Sequence, residues 1–269
     1  MEDVKYEGLN IYLTNLGKYN EGILQGEWLK LPCTQEEYKA CLDRIGINDE
    51  YEETFISDID NYYPFDLSEL IGEYTDFKFC NALAEKLDEL TDEEQKRIDA
   101  LNEEGFSIED SICNVLDGNG LLYEDIRDER DYGNHLLNEV GVEGLGEYVI
   151  QDCFDYEQFG RDERKEYYPE DENYPETAGE YYCGNENATD YEIGQAVVDD
   201  TYGGIENMSK EKIESYLDLE EIGKLCLEGN EEVLTDYGLL DYSDCENEYD
   251  LNEYLGLSEE NEEEEEDER

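Results

Sequence analysis

Apolar residues follow two rhythms along the chain. Between Leu9 and Leu13 they alternate, which predicts a strand. Glu27 to Leu31 supplies a second strand able to pair with it, and Gly17, Gly22 and Gly26 between them suit a long hairpin or an irregular loop that needs positive φ. Thr34-Gln35-Glu36-Glu37 is a capping box, and it predicts a helix whose inward face is Tyr38, Cys41, Leu42 and Ile45. Phe55 and Ile56 predict a third short strand. Together these elements define a small α+β domain over residues 1–62.

The period then becomes helical. Phe77, Cys80, Leu83, Ala84, Leu87 and Leu90 mark one long amphipathic helix with acids on its other face. A second box, Thr91-Asp92-Glu93-Glu94, opens a helix carrying Ile98 and Leu101, and Gly105 ends it. Ser107-Ile108-Glu109-Asp110 opens the next, with Ile112, Cys113 and Leu116 inward. Residues 63–120 therefore read as a central helical bundle. Acids in the first turns suit the positive end of the helix dipole, so some have a structural reason to be there.

An internal repeat organises the remainder. The stretch Asp131 to Asp162 returns in degenerate form between Tyr191 and Lys224. In the first copy Phe154-Asp155-Tyr156-Glu157-Gln158-Phe159-Gly160-Arg161 spells an apolar and acidic helix opening that ends in a glycine and a base. Leu217-Asp218-Leu219-Glu220-Glu221-Ile222-Gly223-Lys224 repeats that order of chemical types. Gly133 with Leu136 and Leu137 likewise matches Gly194 with Val197 and Val198. A repeat at this spacing predicts a duplicated small module. The modules are placed at 121–164 and 191–245, with a linker or loop rich in Tyr, Glu and Pro at 165–190. Val233, Tyr237, Leu239 and Leu240 predict a closing strand or packed turn. An acidic tail fills 246–269, and its low-complexity end from Ser258 is expected to be disordered and solvated. The expected fold class is α+β: an elongated chain of small domains, with an N-terminal α/β domain on a short antiparallel sheet, a central helical bundle and a duplicated C-terminal α+β module.

Charge changes the picture most. The 269 residues hold 79 acids against 18 bases, a formal net charge of -61, while 38% of positions are apolar, enough to build cores. Self-repulsion on this scale favours a shape that spreads its charges, hence the elongation. Duplex DNA carries one charge per roughly 1.7 Å of axis, so a comparable charge belongs to roughly 100 Å of duplex. Such a chain is not expected to bind nucleic acid directly or an anionic membrane; its natural partners are basic. Acidity that serves only solubility or salt adaptation is the bland alternative. Against it, the acids recur in nearly every predicted helix and are not confined to the tail.

Candidate chemistry removes further classes. The eight cysteines form no C-x-x-C pair, no apolar run follows the first residues as in a secretory signal, and none reaches the roughly 18 residues of a membrane helix. The reading is a cytoplasmic protein with free thiols. The glycosylation sequons at Asn187 and Asn207 are then matches of chance. The single histidine, His135, has Ala196 as its counterpart in the repeat and reads as a half-buried helix residue. No nucleophile elbow, Walker loop or dinucleotide glycine pattern occurs. Asp117-Gly118-Asn119-Gly120 begins like a calcium loop, but Leu121 stands where a ligand belongs and Leu122 where the loop glycine belongs. Scattered thiols and one histidine disfavour zinc. Paired carboxylates carry no signal in a chain so rich in them. The 24 tyrosines suit packing or hydrogen bonding within a protein contact better than base stacking. No catalytic residue, metal site or cofactor is expected.

The segment Ile11-Tyr12-Leu13-Thr14-Asn15-Leu16-Gly17-Lys18-Tyr19-Asn20-Glu21-Gly22, followed by Gly26-Glu27-Trp28-Leu29, resembles the opening of the ArdA-type antirestriction proteins carried by mobile genetic elements. The likeness continues in Phe55-Ile56-Ser57-Asp58, in Gly72-Glu73-Tyr74 leading to Ala82-Leu83-Ala84, and in Phe154 to Asp162. It covers about residues 4 to 164, and Thr235-Asp236-Tyr237-Gly238 resembles the end of that family's last domain. The resemblance implies an elongated three-domain protein, usually a homodimer. Its carboxylates would imitate the phosphates of bent B-form DNA and occupy the DNA-binding groove of type I restriction-modification enzymes. The chain departs from the family by roughly a hundred further residues. The extra module could extend the mimic, cover the dimer interface, or replace the partner's module within one chain.

A protein whose carboxylates stand where phosphates would can capture a surface of Lys and Arg built for DNA, with no bond broken. The candidate phosphate substitutes are Asp58, Asp60, Glu73, Asp76, Asp110, Glu124, Asp125, Asp128, Glu129, Asp131, Asp155 and Glu157. For any one of them, an ordinary solvated acid is the competing role. Two other readings stay open: an inhibitor of another DNA-binding defence, such as a CRISPR effector or other nuclease, and an acidic chaperone or adaptor for basic proteins.

Overall fold

The computed structural model describes residues 8–170 and 172–257. It is a mixed α/β structure with small antiparallel sheets and many helices, divided into two compact units, Met1–Leu122 with Leu240–Arg269, and Tyr123–Leu239.

The first unit opens with β1 (Leu9–Asn15), the short α1 (Leu16–Asn20), β2 (Gly26–Leu31), α2 (Gln35–Arg44) and β3 (Thr54–Asn61). The sheet order is β2-β1-β3, antiparallel throughout. Alternation along β1 sends Leu9, Ile11 and Leu13 into the core. Tyr12 faces the other way, opposite Trp28 on one side and Asp58 on the other. Thr34 closes its capping box with Glu37, as read from the sequence.

α3 (Phe77–Glu89), α4 (Asp92–Glu104) and α5 (Ile108–Asp117) follow, then β4 (Leu121–Tyr123). Cys80, Leu83, Ala84 and Leu87 are buried on α3. Thr91 boxes with Glu94 at the start of α4, and Gly105 ends that helix at φ 113°.

The last described segment returns to this unit. Its partner there is Asn114, fully buried on α5, whose side chain donates to the Glu246 carbonyl at 2.8 Å and accepts from the Glu246 N–H at 2.9 Å. Asp110 accepts from the Tyr249 N–H at 3.0 Å and Glu109 from the Leu251 N–H at 2.9 Å. A buried amide with both ends satisfied fixes the segment's register.

The second unit contains α6 (Glu129–Gly144), α7 (Glu147–Cys153), α8 (Tyr156–Glu166), α9 (Ala178–Cys183) and α10 (Asp190–Ala196). One π-helical turn, Val197–Tyr202, continues α10, and α11 (Lys210–Glu214), α12 (Leu219–Leu227), β5 (Glu232–Thr235) and β6 (Gly238–Asp241) follow. A second sheet is ordered β4-β6-β5. A final short helix, α13 (Leu251–Tyr254), lies in the returning segment. Between the two copies, Ala178 and Ala188 are buried with Phe159 and Ile193 in one apolar cluster, so this stretch contributes to the core.

The repeat glycines lie within helices. Gly160 and Gly223 lie inside α8 and α12, and Gly133 and Gly194 lie inside α6 and α10. α6 packs along α12, and α8 along α10. A Cβ on Gly133 would stand 1.9 Å from the Leu219 carbonyl oxygen, and one on Gly223 would stand 1.8 Å from that of Glu129. On the other pair, Gly160 would meet the Asp190 oxygen at 1.8 Å and Gly194 the Tyr156 oxygen at 2.1 Å. The helix backbones touch where side chains are absent.

All eight cysteines are free thiols, and Cys41, Cys80, Cys113 and Cys153 are buried. Burial pushes the Cys80, Cys113 and Cys245 thiols up to about 12, and those of Cys33 and Cys153 up to about 11. Only the thiolate reacts. Titration with a disulfide reagent at pH 8 should therefore be at least about tenfold slower on the native chain than in denaturant. Equal rates would show that these thiols are not shielded.

Candidate functional site

The nominated acids belong to both units. In the first, Asp58 and Asp60 share one face of β3, being two residues apart, and this is the face that pairs across β1 with Tyr12 and Asn10. Tyr12 and the partly exposed Trp28 meet edge to face on it, ring centroids 5.2 Å apart. Glu73 and Asp76 lie together on the rim of a cleft of about 200 Å³ that is also lined by Phe55, Tyr74 and Phe77. The Glu73 carbonyl accepts from the Ile56 N–H at 2.8 Å, and Asp76 caps α3 by accepting from the Lys78 N–H at 2.7 Å.

Asp110 differs from the others in this unit. Its two carboxylate oxygens accept from the Ser107 hydroxyl at 2.6 Å and from the Tyr249 N–H at 3.0 Å, and it is only partly exposed. Its first duty is to hold α5 and the returning segment.

In the second unit, Glu124, Asp125, Asp128, Glu129 and Asp131 follow one another through the turn into α6. All are exposed except the half-buried Glu129. Asp128 is the N-cap of α6, accepting from the Asp131 N–H at 2.8 Å, and Asp131 accepts from the Arg127 N–H at 3.1 Å. Asp155 caps α8 through the Gln158 N–H at 2.8 Å. An aspartate there satisfies an orphan helix N–H and meets the positive end of the dipole, which gives both caps a structural reason beside any functional one. Glu157 forms an exposed ion pair with Arg161 at 2.8 Å, a base that it shares with Asp190. Among the described residues no Lys or Arg side chain forms an ion pair with Asp125, Asp128, Asp131 or Asp155.

The structure adds an acid that was not nominated. A cleft of about 210 Å³ brings Asp155 to the same lining as Asp218, with Arg130 and Gln158. Asp218 caps α12 by accepting from the N–H groups of Glu220 and Glu221 at 3.0 and 3.2 Å, as Asp155 caps α8. The signal was in the sequence: Asp218 occupies the position of Asp155 in the repeat.

Other acids in this unit are structural. Asp190 takes Arg164 at 2.6 Å and Arg161 at 3.4 Å, and the Arg164 hydrogen bond holds its carboxyl below the usual carboxylate range. Glu192 closes a capping box with Thr189, whose backbone N–H likewise holds the Glu192 carboxyl low. His135 rests against Tyr123, ring centroids 5.5 Å apart. Among the described residues no group of three His, Cys, Asp or Glu is arranged to hold a metal ion, and no helix is long and apolar enough to cross a membrane.

The chain is an acid-rich mixed α/β protein with exposed carboxylates on both units. Residues 11–175 match the family model of ArdA, described as antirestriction protein. The match spans more than half of the chain, and the chain belongs to the ArdA antirestriction family. No curated protein matches it. The matched region stops short of α10, so the second copy of the repeat lies beyond it.

Proposed function

We propose that this chain is a cytoplasmic DNA mimic that occupies the DNA-binding groove of a type I restriction-modification enzyme and blocks its action on incoming DNA. The observation that carries this reading is the combination of ArdA membership with exposed carboxylates, Asp58, Glu73, Asp76, Asp125, Asp128, Asp131 and Asp155, on both units. The partner's surface is built of Lys and Arg that normally approach phosphates. The chain offers carboxylates in their place. Inhibition is then by occupancy, with no bond broken and no cofactor used.

The test is competition. A purified type I enzyme bound to labelled duplex should release it at near-stoichiometric chain, with displacement weakening as salt rises and with methylation followed as a second readout. Failure to displace, with the chain folded, would end this reading. A second reading, inhibition of another DNA-binding defence nuclease, is favoured by one observation: the second module lies beyond the matched region, where a changed target could be specified.

A further inference from the structure

Within the second unit the two copies of the repeat are related by an internal two-fold pattern. Phe154 and Leu217, which are equivalent in the repeat, form an antiparallel bridge. On either side of it the Asp155 N–H donates to the Tyr216 carbonyl at 2.8 Å, and the equivalent Asp218 N–H donates to the Cys153 carbonyl at 2.8 Å. The helix pairs are exchanged between copies in the same way. The first helix of copy one, α6, lies on the second helix of copy two, α12; the first helix of copy two, α10, lies on the second helix of copy one, α8.

The glycine contacts obey the pattern atom for atom. Gly133 faces the Leu219 oxygen as Gly194 faces that of Tyr156, and Gly223 faces the Glu129 oxygen as Gly160 faces that of Asp190. A cleft of about 480 Å³ is lined by equivalent pairs, Val142 with Ile205, Leu145 with Met208, and Ile150 with Ile213. Gly141 at φ 65° and Gly204 at φ 122° each turn the chain just before those pairs.

An arrangement of this kind arises when two identical modules pair about a two-fold axis, each residue meeting the partner's equivalent. Here the two modules are no longer identical, and their differences suit each other. Lys212 of copy two forms an ion pair with Glu163 of copy one at 3.0 Å, where the Glu163 side chain is only 17% exposed. The residues equivalent to these are Val149 and Cys226, which belong to one apolar cluster. Two copies of module one would set Val149 against Glu163 and leave a largely buried carboxylate without a base. Two copies of module two would set Lys212 against Cys226 and take away its carboxylate, leaving the ammonium only the Tyr202 hydroxyl of its own module at 2.8 Å. Either exchange removes the partner of a partly or largely buried charge, so pairing of unlike modules is favoured.

The connection between copies is folded onto the pair it joins. Arg164 of α8 reaches Asp190 of α10 at 2.6 Å, and Tyr167 donates to the Pro175 carbonyl at 2.8 Å.

We infer that the second copy stands in for a second subunit: the surface on which two such modules associate is closed within one chain, and the protein is a monomer. The homodimer implied by the resemblance is then supplied in cis by the extra module. The inference is independent of which enzyme the chain inhibits.

The test uses the full chain. A tagged and an untagged copy are co-expressed, the tagged one is captured, and the mass of the purified protein is followed by sedimentation over a wide concentration range. The expected result is 31.3 kDa at every concentration, with no untagged chain in the eluate. Zero-length carbodiimide coupling should join Glu163 to Lys212 in a species of single-chain mass, and Lys212→Met should remove that link. Co-capture of the untagged chain, a concentration-dependent dimer, or recovery of the Glu163–Lys212 link in a species of double mass would overturn the inference.

Discussion

Replacing Gly160 or Gly223 with alanine is expected to lower the melting temperature, although intrinsic helix preference alone predicts that it should rise. Both glycines lie inside helices, where glycine is about 1 kcal/mol less favourable than alanine. Something must offset that penalty at each site, and the structure supplies it. An added methyl on either residue would stand 1.8 Å from a carbonyl oxygen of the facing helix, that of Asp190 or of Glu129. Backbone cannot step aside as a flexible side chain can, so each pair of helices must part and its apolar seam must loosen. Overpacking of this kind costs about 1–3 kcal/mol, and each kcal/mol shifts the transition of a chain this size by about 2–4 °C. Gly72→Ala is the control, since a Cβ there meets nothing nearer than the Thr75 hydroxyl at 3.9 Å. Thermal denaturation followed by circular dichroism decides by sign: a rise for Gly160→Ala or Gly223→Ala would mean that the helices do not touch at these glycines.

The same two positions show what the sequence could and could not convey. Alternation in β1, the helical period of α3 and the capping boxes at Thr34 and Thr91 were legible because each rests on residues a few positions apart. The duplication was legible too. Its glycines were legible as matching positions but not in their role, because the reason for them lies on a different helix far along the chain, which no local pattern contains. The exchanged pairing was hidden for a related cause. Like modules and unlike modules carry the same apolar pattern, and contrasts such as that of Glu163 and Lys212 with Cys226 and Val149 distinguish them. The buried link from Asn114 to Glu246 was equally out of reach, because its partners are joined by folding alone.

The candidate acids divide along the same line. Their exposure followed from charge, since few acids in a chain this acidic can be buried. Their standing relative to one another did not. Glu157 was nominated alongside Asp155, yet it forms an ion pair with Arg161 four residues on, and Glu220 is held by Lys224 at 2.6 Å in the equivalent position. Asp110 carries two structural hydrogen bonds that no spacing rule announces.

Neutralising Glu124, Asp125, Asp128, Asp131 and Asp155 together, to Gln and Asn, is expected to weaken displacement of DNA from a type I enzyme by about a hundredfold or more and to flatten its salt dependence. Each charge-assisted contact to a basic groove adds on the order of one unit to the logarithmic salt slope, so five removed charges should be visible in slope as well as in affinity. The fold should survive, because Asn serves as an N-cap about as well as Asp and can keep the hydrogen bonds that Asp128 and Asp155 accept from Asp131 and Gln158. Asp155→Asn alone should change displacement less than about threefold, since the attraction is spread over many charges. Glu157→Gln with Glu220→Gln gives the sharper comparison: both carboxylates are already paired with bases, so their removal should cost less than removal of any two of Asp125, Asp128, Asp131 and Asp155. Loss of all inhibition from the single Asp155 variant would replace a dispersed electrostatic mimic with a specific contact. An unchanged salt slope in the fivefold variant would move the binding surface to the acids of the other unit, with Asp58, Glu73 and Asp76 the next to neutralise.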